Sequence, residues 1–268
     1  MSKEFATVAE AFSKKALVYD RFGENHPNLT RMREIVYKHV LSLIEPGSKM
    51  LEINAGTGTD ASAFASQGFR IHATDISREM VNRIDEKIRV HGLDSNLSSQ
   101  QISFTELHRV NHQPFQYILS NLGGLNCISS LDEVVEGISS ILTPGGIVTV
   151  VIMPPICPWE WFALLRGDTK TATRRLHADG VLANIEGVQF MTYYHTPGQV
   201  RESFGSDYVP LKRSALSLFS PPADNKKFPR KHPNLYRILV KLDQLLGHHP
   251  PFNNWGDFFI ASYKFQPK

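Results

Sequence analysis

Met50-Leu51-Glu52-Ile53-Asn54-Ala55-Gly56-Thr57-Gly58-Thr59-Asp60 is the stretch whose reading decides the fold. An apolar run ends on an acid, crosses two closely spaced glycines and opens into Ala61-Ser62-Ala63-Phe64-Ala65. That order predicts a strand, a tight turn and a helix N-terminus. Glycines in such a turn permit left-handed dihedrals and leave bare backbone against which a ligand can lie. The helix start adds unpaired N–H groups. The turn is therefore a candidate nucleotide site, with a purely structural turn as the alternative reading of the Gly56-Thr57-Gly58 spacing.

Outward from this turn, the pattern alternates. A mixed segment over 4–19 predicts a first helix, and Leu29, Met32, Val36, Val40 and Leu43 recur at helical spacing until Glu45-Pro46-Gly47 stops the second. After the glycine turn, a helix ends at Gly68, and a second strand over 69–74 terminates at Asp75. Ser77 caps the next helix, with Val81, Ile84 and Ile88 inward. Further strands are expected at 101–104, 115–119 and 147–152. Between the last two, Ser130-Leu131-Asp132-Glu133 predicts a capping box opening a helix that carries Val134, Ile138 and Leu142. Strand-to-helix units in succession specify a doubly wound α/β core with a parallel sheet. Beyond Met153 the alternation stops: Pro154-Pro155, Trp159, Trp161 and Phe162, and a basic stretch with Lys170, Arg174 and Arg175 look like an insertion. Residues 188–194 read as extended, Thr196-Pro197-Gly198-Gln199 as a second capping box, and 208–219 and 255–265 as two more strands.

The chain of 268 residues fits one domain with an elaborated cap. No segment approaches the roughly 18 uninterrupted apolar residues of a membrane span, and the start, Met1-Ser2-Lys3-Glu4, lacks the layout of a secretory signal, so a cytoplasmic location is expected. Cys127 and Cys157 make no zinc site by themselves, and no metal is expected. A formal net charge of +3 is too mild to argue for nucleic acid. Asp75 follows Gly58 at the carboxyl end of the second strand, where such sheets place an acid to accept from ribose hydroxyls. A dinucleotide turn has a third glycine where this chain has Ala61, and no Gly-Lys-Ser/Thr follows to make a phosphate loop.

Four stretches in order, Leu51-Glu52-Ile53-Asn54-Ala55-Gly56-Thr57-Gly58, Thr74-Asp75-Ile76-Ser77 with Met80, Phe115-Gln116-Tyr117-Ile118-Leu119-Ser120-Asn121 and Leu142-Thr143-Pro144-Gly145-Gly146, resemble the motifs of class I S-adenosylmethionine-dependent methyltransferases. The resemblance covers roughly residues 15 to 152. It implies a Rossmann-like, doubly wound, seven-stranded sheet, mostly parallel with a closing antiparallel hairpin. The expected organisation is a single domain over 1–268, with N-terminal helices at 1–46, a cofactor-binding core at 47–152, and substrate-side cap insertions at 154–207 and 220–254. S-adenosyl-L-methionine is the implied cofactor. Glu52 and the turn from Asn54 through Ala55 and Gly56 to Gly58 would hold its methionine portion, Asp75 the ribose, and Ile76 and Met80 the adenine faces. Thr105 and Glu106 would lie near the adenine amino group, Ser120 and Asn121 at the amino-acid end, and Tyr19 beside the cofactor. Two positions depart from the family pattern: Asn54 replaces its first glycine, and Gln116 its usual aspartate.

Methyl transfer from a sulfonium needs mainly alignment, so proximity and orientation are the expected source of rate. His195, Tyr194, Tyr19 and His26, at element ends, are the candidates for a base or substrate contact, His195 first. A small-molecule acceptor reacting at oxygen, nitrogen or carbon is the expected partner, since no Asp/Asn-Pro-Pro-aromatic motif points to DNA. The Trp159, Trp161, Phe162 cluster and the Leu235, Ile238, Leu239, Leu242, Leu245, Leu246 face either pack the cap or line an apolar acceptor pocket. Lys226, Lys227, Arg230, Lys231, Arg237 and Lys241 form a solvated basic face, or meet an anionic substrate or a membrane surface. Two other functions stay open on the sequence: a cofactor-binding protein of this fold without catalysis, and an NAD-dependent oxidoreductase.

Overall fold

The computed structural model describes residues 3–23 and 25–268; Met1 and Ser2, where the expected N-terminal segment begins, and Glu24 lie outside them. Two helices, α1 (Lys3–Gly23) and α2 (Pro27–Leu41), precede β1 (Lys49–Ile53). Then follow α3 (Thr59–Ala65), β2 (Arg70–Asp75), α4 (Arg78–His91), β3 (Leu97–Gln101), β4 (Phe115–Ser120), α5 (Asp132–Ile141) and β5 (Leu142–Ile152). The cap and closing strands comprise α6 (Pro158–Trp161), α7 (Thr169–Thr173), β6 (Val181–Ile185), β7 (Val188–Thr192), α8 (Pro197–Phe204), β8 (Tyr208–Leu216), α9 (Phe228–Lys231), α10 (Pro233–Leu246) and β9 (Phe258–Phe265). Seven strands make one sheet in the order β3-β2-β1-β4-β5-β9-β8. β1 to β5 run parallel, and β9 is antiparallel to both β5 and β8. This is the Rossmann-like, mostly parallel sheet with an antiparallel closing hairpin that the motifs imply.

Alternation along the central strands makes the sheet doubly wound. Met50 packs with Met32, Val36, Phe64 and Ile84 on one face, whereas Leu51 and Ile53 pack with Val134 and Ile138 on the other. Each of these side chains is fully or almost fully buried, worth about 1.5–3 kcal/mol apiece in removal from water.

The structure moves several expected boundaries. β3 lies at 97–101 instead of 101–104. Its Ser98 and Gln100 bond the ring nitrogens of His72 (2.8 and 3.1 Å), so this edge strand is polar and only Leu97 is buried in it. The apolar Ile102 and Phe104 that attracted the expectation come after the strand. The Ser130–Glu133 capping box does not form: α5 starts at Asp132 with Leu131 as its cap, and the Ser130 hydroxyl accepts from the Asp132 N–H at 3.2 Å. The Thr196–Gln199 box is present in full. Pro144-Gly145-Gly146 forms an irregularity inside β5, because Phe115 pairs with Leu142 and Tyr117 with Ile147. A hairpin, β6–β7, turns on Glu186 and Gly187, both at positive φ, as a tight hairpin turn requires. It packs on α1 through Phe12 and Phe190, whose ring centroids are 5.8 Å apart.

Gly58, the left-handed cap of α3, abuts α4: a Cβ there would fall 2.9 Å from Cγ1 of Ile84, and φ is +74°. Gly58→Ala should cost about 2–4 kcal/mol, the sum of left-handed strain and overpacking. Gly47→Ala, at φ +77° with nothing within 4 Å, should cost about 1–2 kcal/mol from strain alone. Urea unfolding of the two variants checks the difference; equal losses would remove the Ile84 clash from the account.

Candidate active site

The carboxyl end of β1 continues through Asn54 (φ +49°), Gly56 (φ +56°) and Gly58 (φ +74°), all left-handed. Asp75, at the end of β2, fixes this path: its Oδ2 accepts from the Gly56 N–H (2.9 Å) and its Oδ1 from the Ser77 N–H (2.9 Å). The Ser77 hydroxyl in turn accepts from the Met80 N–H and caps α4. Burial pushes the Asp75 carboxyl up to about 6, against the pull of backbone N–H groups at Ser77, Gly56 and Ile76. Tyr19, Asn54, Gly56, Asp75, Ile76, Met80 and Asn121 line one cavity together with Ile102, Phe104 and Cys127. Acid and bare backbone thus face apolar walls, the pattern a nucleoside needs.

Asn54 combines two requirements. Its backbone is left-handed, which asparagine tolerates better than most residues. Its side-chain amide donates to the Ser120 hydroxyl at 2.8 Å and occupies space that Gly124 leaves free. Behind it, Asp60 accepts from Arg33 (3.0 Å), Tyr37 (2.5 Å) and Asn121 (2.9 Å). Glu52 is 3% exposed, and burial beside Asp60 holds its carboxyl well above the usual range. Glu52 Oε2 and Asn54 Oδ1 are buried atoms without a hydrogen-bond partner among the described residues, and such atoms are costly unless something pairs with them.

Not every expected residue reaches this cavity. Gly58 serves the packing of α3 on α4, the Ala55 N–H bonds Thr74 (2.9 Å), and Ser120 is buried under Asn54. Thr105 folds back on Ser103, and Glu106 pairs with Arg109 at 2.8 Å on the surface; neither lines the cavity. His195 lies elsewhere: its Nε2 donates to the Ile128 carbonyl (2.9 Å), and it lines a different depression with Ser130 and Gln199. His26 caps α2, accepting from the Leu29 N–H. Tyr194 stacks under the Arg175 guanidinium, 5.3 Å from its ring centroid. Gln116 accepts from the Lys49 N–H at the amino end of the sheet, opposite the cavity. Of the four catalytic candidates, only Tyr19 lines the cavity, and burial raises its hydroxyl above the ordinary value. Sequence reasoning missed Phe12, Ile102, Phe104 and Cys127 as lining residues. The alternation Ile102-Ser103-Phe104 was a usable signal. Burial pushes the Cys127 thiol up to about 12, so it is a neutral wall group.

A larger cleft, about 1240 Å³, lies between the cap and α10, lined by Trp159, Phe162, Leu164, Phe228, Leu235 and Leu239 among others. The Trp cluster and the leucine face thus come together around a cavity. Asp257 lines this cleft, and its neighbour Phe258 packs where a Gly123 Cβ would sit; Gly123 lines the first cavity. The start of β9 therefore lies between the two, with Asp257 in the cleft and Phe258 behind Gly123.

A family model described as "Methyltransferase domain" matches residues 44–155. No curated protein matches the chain. Among solved structures, the chain is similar to the CcbJ methyltransferase from Streptomyces caelestis (15% identity, 94% of this chain and 96% of that one, TM-score 0.62). It is also similar to the protein of the DhpI–SAH complex (15%, 100% of each chain, 0.61) and to the [4+2]-cyclase SpnF (16%, 89% and 82%, 0.55). At these identities the likeness establishes a common fold.

A Cβ on Gly124 would fall 2.7 Å from the Asn54 Cβ and closer still to its amide. Gly124→Ala should cost about 2–3 kcal/mol as an overpacking change. In the Asn54→Gly background that cost should shrink by at least about 1 kcal/mol. A double-mutant cycle read by thermal unfolding checks this, and strict additivity would show that the two positions do not share the space.

Proposed function

We propose that residues 44–155, a methyltransferase domain, bind S-adenosylmethionine in the cavity at the ends of β1 and β2, and that the chain transfers its methyl group to a small molecule at oxygen, nitrogen or carbon. The observation that carries this reading is the Asp75 carboxylate bonded to Gly56 beside a slot of Ile76, Met80, Ile102 and Phe104. Asp75 would accept from the ribose hydroxyls; carboxylate oxygens have lone pairs beyond those the backbone uses. The apolar side chains would hold the adenine, with Phe104 in place of the expected Glu106. The buried Asn54 Oδ1, which has no hydrogen-bond partner among the described residues, fits the polar methionine end, whereas Glu52, expected there, does not line the cavity.

The cofactor's sulfonium supplies a methyl group that is already activated for transfer. The chain's contribution is then to hold two reactants in line and exclude water, which proximity alone can make effective. Tyr19 is protonated at neutral pH, so it acts as a hydrogen-bond donor at the cavity wall. His195 and Tyr194, engaged elsewhere, take no part in this reading. Asn54 keeps the left-handed path of the turn, which favours an intact cofactor site over one disabled by the substitution.

Calorimetry with S-adenosylmethionine, S-adenosylhomocysteine and NAD tests the assignment: binding of the first two and not the third is expected, and the reverse would sink it. Asp75→Ala should weaken binding more than about tenfold. Binding that selects the ionised carboxylate should hold steady above neutrality and weaken as pH falls through about 6, by about tenfold at pH 5. The slope should flatten in Asp75→Asn.

A further inference from the structure

α10 is an amphipathic helix of 14 residues of which only Asp243 is buried. Asp243 accepts from the Phe219 N–H at 2.6 Å and lies 3.6 Å from the Arg31 guanidinium, so a polar edge fastens the helix to the core. Its apolar stripe is turned partly outward: Leu235, Ile238 and Leu245 are 47%, 56% and 67% exposed. Across the cleft, the cap presents Phe162, Leu164 and Leu165, the last 83% exposed. Such a grouping on a chain's surface marks a place where something docks.

The charge around it says what docks. Between 226 and 241 there are six basic residues and no acidic one, whereas the whole chain carries only +3, so the rest is net negative. Lys227, Arg230, Lys231, Arg237 and Lys241 are exposed. Arg237 and Lys241, one turn apart, border Ile238 and Leu245 on the helix. Two copies of the chain meeting through this face would set like charges against each other, which disfavours a symmetric dimer. A basic-flanked apolar stripe is instead the arrangement of a helix lying in a membrane interface. Among the described residues no helix is long and apolar enough to cross a membrane, so contact would be from one side.

We infer that α10 and the Phe162–Leu165 rim form a docking surface for an anionic lipid bilayer. The inference goes beyond the methyl-transfer reading and does not require it, because docking is read without cofactor.

Flotation of the full chain with vesicles of phosphatidylcholine alone, and of phosphatidylcholine with phosphatidylglycerol, tests it. Binding is expected with the anionic vesicles, weakening as salt rises, and with quenching of tryptophan emission by brominated lipid, since Trp161 is 43% exposed on the cap. Arg237→Gln with Lys241→Gln should lower partitioning by about 25-fold, about fivefold for each cation. Ile238→Asp with Leu245→Asp should abolish it while circular dichroism stays that of the parent. Equal partitioning of parent and both variants would overturn the inference, as would no binding to anionic vesicles by the folded parent. A lipid-free dimer split by Ile238→Asp, or equal affinity for monomeric short-chain phosphatidylglycerol, would overturn it in favour of a second copy or a soluble lipid.

Discussion

The buried Asp75 carboxylate is the interaction on which the site depends. It reaches from β2 to the N–H of Gly56 on the turn after β1, and to the N–H of Ser77 at the head of α4. Its rise to about 6 corresponds to roughly 3 kcal/mol of penalty on the ionised form. That is what remains after the backbone bonds have offset part of the desolvation. The return is geometric: one side chain sets where the glycine turn runs and where α4 begins. Met80 and Ile84 follow from that start, one as a cavity wall and the other as the surface against which Gly58 must stay bare.

A second buried charge cluster positions the cap. Arg175, 4% exposed, pairs with Glu160 (2.7 Å) and Asp257 (2.8 Å), and Arg174 pairs with Glu160 (2.6 Å). Two cations and two carboxylates balance, and Arg175 also donates to the Asp257 carbonyl at 2.9 Å. Removing either Arg175 partner would leave a buried charge uncompensated, which is far costlier than the net worth of the intact pair. The cluster ties α6 to the start of β9, which lies between the two cavities. The cap is therefore set relative to the glycine turn by polar groups, leaving its apolar side chains free to line the large cleft.

Much of this was legible in the sequence wherever burial repeats with a simple period. Central strands such as Val148 to Ile152, Thr149 apart, are apolar because both sheet faces are covered, so their positions and the doubly wound class followed. β3 was not legible in the same way, since an edge strand whose Ser98 and Gln100 bond His72 carries no apolar run. The Ser130 box failed because a local motif competes with where Leu131 must pack, and Leu131 is buried in the core. Three of the four catalytic candidates lie away from the cavity for another reason. His195 and His26 do stand at element ends, but only tertiary structure decides which way a loop residue turns, and both turn to backbone partners. In α10 the period located the apolar stripe; that its buried edge is Asp243, with leucines facing out, depends on partners distant in sequence.

Asn54 illustrates how a motif can change a residue and keep its geometry. A glycine at the first position of such a turn satisfies two separate demands: a left-handed backbone and the absence of side-chain volume. Asparagine meets the first, at modest conformational cost. The second is transferred to Gly124, whose missing Cβ makes room for the amide, while Ser120 takes the amide's hydrogen bond. The demand for space is thus conserved across the two strand ends although neither position alone reveals it. Read residue by residue, Asn54 looks like a lesion in the motif. Taken with Gly124 it is a relocation of the glycine, and it leaves a buried carbonyl oxygen with no hydrogen-bond partner among the described residues.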